Sequence, residues 1–196
     1  MFQRFALSIS MIALTVFASN TLACAWQLDS STARLTFASV KNDHIAELHR
    51  FTQLSGAWAG DNVSIRIPVS GLDTLIPIRN ERMAKHLFNA EQFPHIAVSA
   101  TVPPSQLSKL KLGDTIIVEL PLTLEIAGQR LQLPATVQIT KAGDKRLLAT
   151  TVQPIMIDTK AAGLDVGIET LRTIAGLQSI DLVVPVTFSV AFTQPG

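Results

Sequence analysis

Residues 115–128, TIIVELPLTLEIAG, decide the fold, because their side chains alternate between apolar and polar with a period of two. The even positions from Ile116 to Ile126 are aliphatic, and the odd positions include both glutamates of the stretch. Such alternation is typical of a strand with one buried face. Gly128 lies in a tight turn signal, IAGQRL, and the alternation resumes in RLQLPATVQIT at residues 130–140. The two segments are predicted to form a long antiparallel hairpin.

Six further segments repeat this alternation, and each is predicted to be a strand. They are ARLTFASV (33–40), IAELHRFTQLSG (45–56), NVSIRIPVS (62–70), PHIAVSATV (94–102), RLLATTVQPIMI (146–157) and LVVPVTFSVAF (182–192). Short turn signals at 59–61 and 141–145 make neighbouring strands antiparallel. About eight strands, each with one apolar face, predict an all-β sheet curled on itself as either a barrel or a sandwich.

Two short helices are predicted to interrupt the strands. The first covers residues 81–88, with Asn80 as its N-cap and Glu81 favourably placed beside the helix dipole. The second covers about 167–176 and ends at Gly176. Neither helix is long enough to be stable unless its apolar face packs against the sheet.

Residues 1–25 are predicted to be a cleaved signal peptide. An apolar run of about 13 residues follows the single charge of Arg4, which is too short to span a bilayer, and Ala23-Cys24-Ala25 fits the small-x-small cleavage rule. Cleavage before Trp26 would leave one mature domain, residues 26–196. In the alternative interpretation, Cys24 is the acceptor of a lipoprotein anchor, although a lipobox favours Leu at the position of Thr21.

Composition narrows the class of protein further. Cys24 is the only cysteine, so the mature chain would have no disulfide, no cysteine–zinc site and no cysteine nucleophile. Export without disulfides indicates a bacterial envelope protein, most simply a periplasmic one. Removing Arg4 from the 16 lysines and arginines leaves 15 basic against 15 acidic residues. A neutral chain lacks the basic field that phosphate contacts require, which argues against nucleic acid as a partner.

No catalytic or metal-binding constellation stands out in the sequence. His44 and His49 are five residues apart, so on one strand they would face opposite sides and could not chelate together. The chain contains no HxH, HExxH or G-x-S-x-G pattern. We predict no catalytic residue, no metal site and no enzymatic activity.

The stretch LIPIRNERMAKHLF at residues 75–88 concentrates positive charge and has two interpretations. In the first, its basic side chains form a solvated helix face. In the second, its apolar face closes one end of a barrel, and its basic side chains meet a polar or anionic head group at the rim. The residues concerned are Met83, Leu87 and Phe88 for the closure and Arg79, Arg82 and Lys85 for the rim.

The sequence resembles the YceI family of exported lipid-binding proteins over essentially the whole mature chain. Residues 72–96, LDTLIPIRNERMAKHLFNAEQFPHI, are similar to the family pattern D-T…R-N…R…H-L-F…F-P-x-I. WQLDSSTARLTFASVKN at 26–42 and LPLTLEIAGQRLQLPATVQI at 120–139 also resemble the family. The chain departs from it at 157–163, where IDTK replaces an Asn-Arg pair and Ala replaces the usual Phe before Gly163.

The resemblance implies an extended lipocalin-like antiparallel β-barrel of about eight strands, whose apolar tunnel accommodates a polyisoprenoid chain such as a quinone tail. An eight-stranded barrel is just wide enough to be filled by its own side chains or to hold one slender ligand, and alternation alone does not separate the two. By face and bulk, the candidate tunnel-lining residues are Phe37, Phe51, Trp58, Ile65, Ile67, Met83, Leu87, Phe88, Val98, Val118, Leu120, Phe188 and Val190.

The resulting hypothesis is a periplasmic carrier or sequestering protein for long polyisoprenoids or similar amphiphilic lipids. The alternative is an envelope accessory protein with a filled core, which acts through its surface, for example under stress. No cofactor is predicted beyond a bound isoprenoid lipid. The sequence is compatible with transient contact with inner-membrane proteins or the membrane surface. It is also compatible with a homodimer.

Overall fold

The computed structural model describes residues 26–194, which form one antiparallel β-sheet with a few short helices. The predicted signal peptide, with Cys24, lies outside the described residues. The strands are β1 (Trp26–Leu28), β2 (Arg34–Lys41), β3 (Ile45–Phe51), β4 (Ser55–Ala59), β5 (Asn62–Pro68), β6 (Leu72–Asp73), β7 (His95–Thr101), β8 (Thr115–Ile126), β9 (Gln129–Gly143), β10 (Arg146–Thr151), β11 (Ile155–Asp158) and β12 (Val183–Thr193). The helices are α1 (Pro77–Arg82), α2 (Pro104–Leu107) and α3 (Asp165–Ala175), with a 3₁₀ turn at Val69–Gly71 and a π-helical segment at Met83–Leu87. Within 26–194, no helix has the length and apolar character needed to cross a membrane.

The sheet closes into a barrel at β1. This strand pairs with β4 on one side and with the end of β12 on the other, where Leu28 lies opposite Phe192. Because β1 and β2 both lie beside β12, they occupy one barrel position, and the pairs β3/β4, β5/β6 and β10/β11 are likewise single strands with a short break. The twelve strands therefore fill eight antiparallel positions, which confirms the predicted all-β barrel.

The β8–β9 hairpin is the longest pairing in the barrel and follows the sequence pattern closely. Ile126 lies opposite Gln129 across the turn, and every second residue of β8 from Leu120 onward is buried. Gly128 adopts φ +81° in this turn, and a Cβ atom there would lie 2.7 Å from the ring of Phe93. Backbone conformation and available space both require glycine at this position.

Two connections cover one end of the barrel, which we call the helical end. The β6–β7 connection holds α1 and the π-helical segment, and the β11–β12 connection holds α3. The two connections pack closely, since a Cβ atom on Gly167 would lie 2.5 Å from the carbonyl oxygen of His86. At the same end, the β2–β3 turn is bound to the segment after α3. The backbone N–H of Asn42 donates to the carbonyl oxygen of Ser179 at 3.0 Å, and the Asn42 side-chain oxygen accepts from the N–H of Gln178 at 2.8 Å.

The first predicted helix has different bounds and geometry from those expected. α1 begins at Pro77, a residue suited to a first helical turn, and continues past Arg82 as the π-helical segment. The prediction of Asn80 as an N-cap is wrong. Its side-chain oxygen instead accepts hydrogen bonds from the N–H of Thr74 at 2.9 Å and from the Thr74 hydroxyl at 2.6 Å. Asn80 therefore joins α1 to the end of β6.

The second predicted helix agrees with the structure within two residues. α3 ends where Gly176 adopts a left-handed conformation with φ +64°, as the sequence predicted. The strands β1 and β6 and the helix α2 were not predicted, and the predicted strand 45–56 included only the first two residues of β4. Elements of two to five residues are too short to show a period.

Candidate functional site

The barrel encloses a cavity of about 500 Å³, within the range of roughly 300–1,000 Å³ typical of small-molecule sites. Inward-facing aliphatic and aromatic side chains from all eight barrel positions line the cavity, so its wall is almost entirely apolar. Trp58, Val102 and Phe192 lie at the far end and are buried. Ile76 and Ile78 line the cavity at the helical end and are partly exposed, so the cavity opens to solvent there. We call this opening the mouth. The interior is thus not filled by the chain's own side chains.

Twelve of the thirteen predicted lining residues border the cavity. These are Phe37, Phe51, Trp58, Ile65, Ile67, Met83, Leu87, Phe88, Val98, Leu120, Phe188 and Val190. Val118 does not line the cavity. It faces inward one position further from the helical end than Leu120, where it packs against the hydrophobic core. The alternation identified the face of each strand correctly, but not how far along β8 the cavity extends.

The predicted lining residues included none from the part of the chain between β9 and α3, which also contributes to the cavity wall. Ile139 of β9 and Ala149 of β10 are buried lining residues, and both lie on the inward face that alternation identifies. Ile168 and Leu171 of α3 also border the cavity. These two residues are three positions apart in the predicted helix and therefore share one helix face. That pattern could have identified them as lining residues.

Aromatic rings line part of the wall in edge and tilted contacts. The ring of Phe51 lies 5.6 Å from that of Phe37 and 5.9 Å from that of Phe88, which joins β2, β3 and the π-helical segment. At the far end, the rings of Trp58 and Phe192 meet edge to face at 5.8 Å. Ring pairs in such geometry add to the stabilisation from burial. They hold neighbouring elements together at the helical end and at the far end, which we call the floor.

A group of polar side chains interrupts the apolar wall on the helical side of the cavity. We call Ser39, Lys41, Glu47, His49 and Arg79 the polar belt, and all five line the cavity. One oxygen of Glu47 accepts from the Lys41 ammonium at 2.9 Å and from the Arg79 guanidinium at 2.8 Å. Partial burial raises the pKa of Glu47, but the hydrogen bonds and positive charges of Lys41 and Arg79 outweigh burial and hold the pKa below its usual value. Glu47 is therefore an anion at neutral pH.

His49 is the most buried member of the polar belt, with 4% of its surface exposed. Its Nε2 atom is 2.8 Å from the hydroxyl of Ser39, whereas Nδ1 is buried without a hydrogen-bond partner among residues 26–194. Burial lowers the pKa of His49, and the positive charge of Arg79 lowers the pKa further. The imidazole is therefore neutral at neutral pH, and one of its nitrogens is left free to bond with a ligand.

The lowered pKa of His49 predicts acid sensitivity. Since the pKa of His49 in the folded protein lies below the ordinary histidine value of 6.5, the unfolded chain takes up the proton first as the pH falls. The stability contributed by neutral His49 is present above that value and is lost as the pH falls towards the folded-state pKa. We expect the urea concentration at the midpoint of denaturation to decrease as the pH is lowered from about 7.5 to about 5.5. The decrease should be smaller in His49→Gln. The control is His44→Gln, which replaces an exposed imidazole in the β2–β3 turn; a decline equal to that of His49→Gln would contradict the assignment.

The three predicted rim cations have different environments. Arg79 is engaged in the fold, because its guanidinium also donates to the carbonyl oxygen of Thr74 at 2.6 Å, in addition to the ion pair with Glu47. Arg82 borders the mouth and has no ion-pair partner in the described part of the chain. Lys85 is exposed and does not border the cavity. Of the three predicted rim residues, Arg82 is therefore the one that lines the cavity without an ion pair among residues 26–194.

This difference predicts that the same substitution, arginine to glutamine, has a large effect on stability at position 79 and a small effect at position 82. Arg79→Gln should lower the free energy of unfolding by about 2 kcal/mol, because partly buried acceptors on Glu47 and Thr74 lose a charged donor. Arg82→Gln should change the free energy by less than about 0.5 kcal/mol, as is usual for a surface substitution. Urea denaturation of the two variants beside the unsubstituted protein measures both values. Equal effects would show that Arg79 is not held as described.

Within residues 26–194, no group of three or more His, Cys, Asp or Glu side chains could hold a metal ion. Of the polar side chains of the cavity, Lys41, Glu47 and Arg79 form an ion-paired cluster, and the buried hydroxyl of Thr159 donates to the carbonyl oxygen of Leu182 at 2.7 Å. The Ser39 hydroxyl lies beside His49, but no third side chain among residues 26–194 bonds to Nδ1 and orients the imidazole as a general base requires. The almost entirely apolar wall suits the cavity to binding an apolar ligand.

A closed antiparallel barrel around an apolar cavity that opens at one end is the architecture of lipocalin-like binding proteins. Residues 26–192 match the YceI-like domain family. The chain belongs to that family, which confirms the resemblance found in the sequence. No curated protein matches the chain at a significant level.

Two solved structures share this architecture. One is a polyisoprenoid binding domain from Saccharophagus degradans implicated in plant cell wall breakdown, which is 29% identical and superposes with a TM-score of 0.85. The alignment covers 89% of this chain and all of that domain. The second is BcnA from Burkholderia cenocepacia, with 16% identity, a TM-score of 0.61, and coverage of 84% of this chain and 98% of BcnA. The likeness to BcnA concerns the fold alone.

Proposed function

We propose that this protein binds a polyisoprenoid or a similar long-chain amphiphilic lipid, with the hydrocarbon tail in the barrel cavity, and serves as its carrier or sequestering protein. The observation that carries the proposal is the apolar cavity of about 500 Å³ that opens at the mouth. The polyisoprenoid binding domain that shares the fold at 29% identity gives independent support. The filled-core alternative requires an interior occupied by the chain's own side chains, and the open cavity weighs against it.

The tail supplies most of the affinity in this proposal. Burying a CH₂ group gains about 0.8 kcal/mol, so each five-carbon prenyl unit contributes roughly 3–4 kcal/mol before the cost of ordering the chain. Between the polar belt and the far end, the cavity wall offers hardly any polar partner. Selection among hydrocarbon tails therefore depends on their length and shape. A saturated chain of similar width would bind as well.

The head group would lie near the polar belt and the mouth. Of the three cations predicted at the rim, Arg82 is the one placed to meet an anionic group. Nδ1 of His49 has no hydrogen-bond partner among residues 26–194, and a buried polar atom without a partner is costly, so a hydrogen bond from this nitrogen to an uncharged oxygen of the head group would be favourable. Head groups of either kind would therefore be held by few contacts.

For location, we propose the periplasm, which rests on the predicted signal peptide in residues 1–25. Cleavage before Trp26 would leave every described strand intact, since β1 begins at that residue. The intact mass of the mature protein tests this proposal. A mass that includes Cys24 with attached lipid would instead indicate a membrane-tethered lipoprotein.

Native mass spectrometry of the protein purified from a host that contains prenyl lipids tests the proposed function. We expect a fraction of the protein to carry one lipid, and the apo fraction to take up an added prenyl quinone in a 1:1 complex. If the protein carries no lipid after purification and does not bind the added quinone, the carrier role is excluded and the surface-acting alternative is favoured.

A further inference from the structure

The turn before α1 exposes an unusual amount of aliphatic surface beside the mouth. We call residues 75–78, Leu-Ile-Pro-Ile, the mouth segment. Leu75 is 79% exposed, Ile76 43% and Ile78 50%, although each is a large aliphatic side chain. Isolated exposed apolar residues are normal on proteins, but a contiguous group beside a ligand opening marks an interaction site.

The backbone holds Leu75 outward at a conformational cost. Leu75 has φ +63°, in the left-handed region that branched side chains rarely adopt. The turn is fixed by its neighbours, because the N–H of Leu75 donates to the carboxylate of Asp73 at 2.9 Å and Thr74 is bound to Asn80. Gly or Asn would adopt this conformation more readily. A strained leucine that is mostly in water contributes nothing evident to the folded barrel, and such strain points to a function outside the fold.

The mouth segment is continuous with the cavity. Ile76 and Ile78 are both exposed at the surface and part of the cavity wall. Leu177 and Ile180, which follow α3, border the cavity at the same helical end. A hydrocarbon tail can therefore pass between the cavity and the exposed face of the mouth segment along aliphatic side chains. The polar belt occupies the β2–β3 side of this path.

We propose that the mouth segment inserts its aliphatic side chains into the surface of a lipid bilayer, so that a tail passes between the bilayer and the cavity without crossing water. The inference rests on the proposed lipid-binding function. A bilayer fits the segment better than a protein partner does, because Trp, Tyr and Arg dominate protein interfaces and the segment contains only Leu, Ile and Pro. Shallow insertion of aliphatic groups, with a cation such as Arg82 among the lipid head groups, is the usual geometry of peripheral membrane binding.

A single substitution can weaken membrane insertion without destabilising the fold. Leu75→Asn removes the aliphatic side chain and places a residue that tolerates the left-handed conformation, so the urea midpoint should rise rather than fall. The matched control is Leu112→Asn, which changes a leucine that is 66% exposed, lies between α2 and β8 at the opposite end of the barrel and does not have a positive φ.

The measurement is cosedimentation of the protein with vesicles of phosphatidylethanolamine and phosphatidylglycerol. We expect Leu75→Asn to weaken vesicle association by about tenfold or more, the equivalent of burying one leucine, and Leu112→Asn to leave association unchanged. Equal association of both variants, or no association of the unsubstituted protein, would overturn the proposal. The second of these results would favour a protein partner at the mouth.

A parallel assay keeps this result separate from the proposed function. Prenyl quinone offered in detergent micelles does not require a bilayer, so Leu75→Asn should bind the quinone from micelles as the unsubstituted protein does. Quinone uptake from micelles without vesicle association would overturn membrane docking and leave lipid binding intact. Vesicle association without quinone uptake would overturn lipid binding and leave docking intact.

Discussion

Ala149→Phe is expected to lower the affinity for a prenyl lipid by about 100-fold while the barrel stays folded. Ala149 is a buried residue of β10, and its methyl group faces the cavity between Ile139 and Val190 on the neighbouring strands. A phenyl ring at this position would take the space of roughly one prenyl unit. Losing the burial of one unit costs about 3 kcal/mol, which corresponds to about two orders of magnitude in affinity.

Titration of apo protein with a prenyl quinone, followed by native mass spectrometry or tryptophan fluorescence, measures the change. The matched control is Ala46→Phe, which adds the same ring to an exposed position of β3 and should bind with unchanged affinity. Far-ultraviolet circular dichroism shows whether each variant keeps its strand content. Unchanged affinity in a folded Ala149→Phe protein would mean that the tail does not occupy this part of the barrel.

Phe192→Ala is expected to have the largest effect on stability, a loss of about 3–5 kcal/mol in the free energy of unfolding. Phe192 is almost completely buried in β12, packs edge to face against Trp58, and lies opposite Leu28 in the pairing that closes the barrel. Deleting its ring would enlarge the cavity at the floor and remove an aromatic contact at the same time. Urea denaturation at neutral pH measures the loss.

Phe192→Leu serves as the control for this prediction. It keeps an aliphatic side chain of similar reach, so it should cost about 1.5 kcal/mol or less. If alanine and leucine destabilise the barrel equally, the loss comes from the edge-to-face contact with Trp58, which both variants lack, and not from the buried volume that leucine retains. If neither variant is destabilised, Phe192 does not support the closing pairing as the structure indicates.

The barrel could be predicted from the sequence because its strands are long and one face is strictly apolar. In β8 and β9, alternation determines which side chain faces inward, and one wrong register would expose every buried leucine. The same period selected most of the lining residues, from Phe37 on β2 to Val190 on β12. These predictions depend on local pattern alone, so they did not require knowledge of the barrel's closure.

The helical end was harder to predict because it depends on tertiary contacts. A helix that begins at Pro77 and becomes π-helical at Met83 has no distinct sequence period. Asn80 resembles an N-cap in sequence, and only the position of Thr74 in space shows that it bonds across the turn. The burial of the Arg79 guanidinium likewise follows from the location of Glu47, 32 residues away in the chain.

The polar belt could not be identified from the sequence for a related reason. Lys41 and Glu47 occupy inward positions near the ends of their strands, where alternation does not distinguish a solvated rim from a cavity wall. For His49, the sequence indicated only that it could not chelate a metal ion together with His44, and the structure shows a hydrogen bond with Ser39 as its partner. That partner lies on β2 and becomes a neighbour only through pairing with β3.

The closing pairing between β1 and β12 has a consequence for biogenesis. Gln27 lies opposite Thr193, so the contact that completes the barrel joins its first and last strands in chain order. Loop closure over such a separation is entropically costly, and topologies rich in distant contacts fold slowly. The nascent polypeptide therefore cannot complete the barrel until residues 183–193 have been synthesised, which suits a protein with a predicted signal peptide.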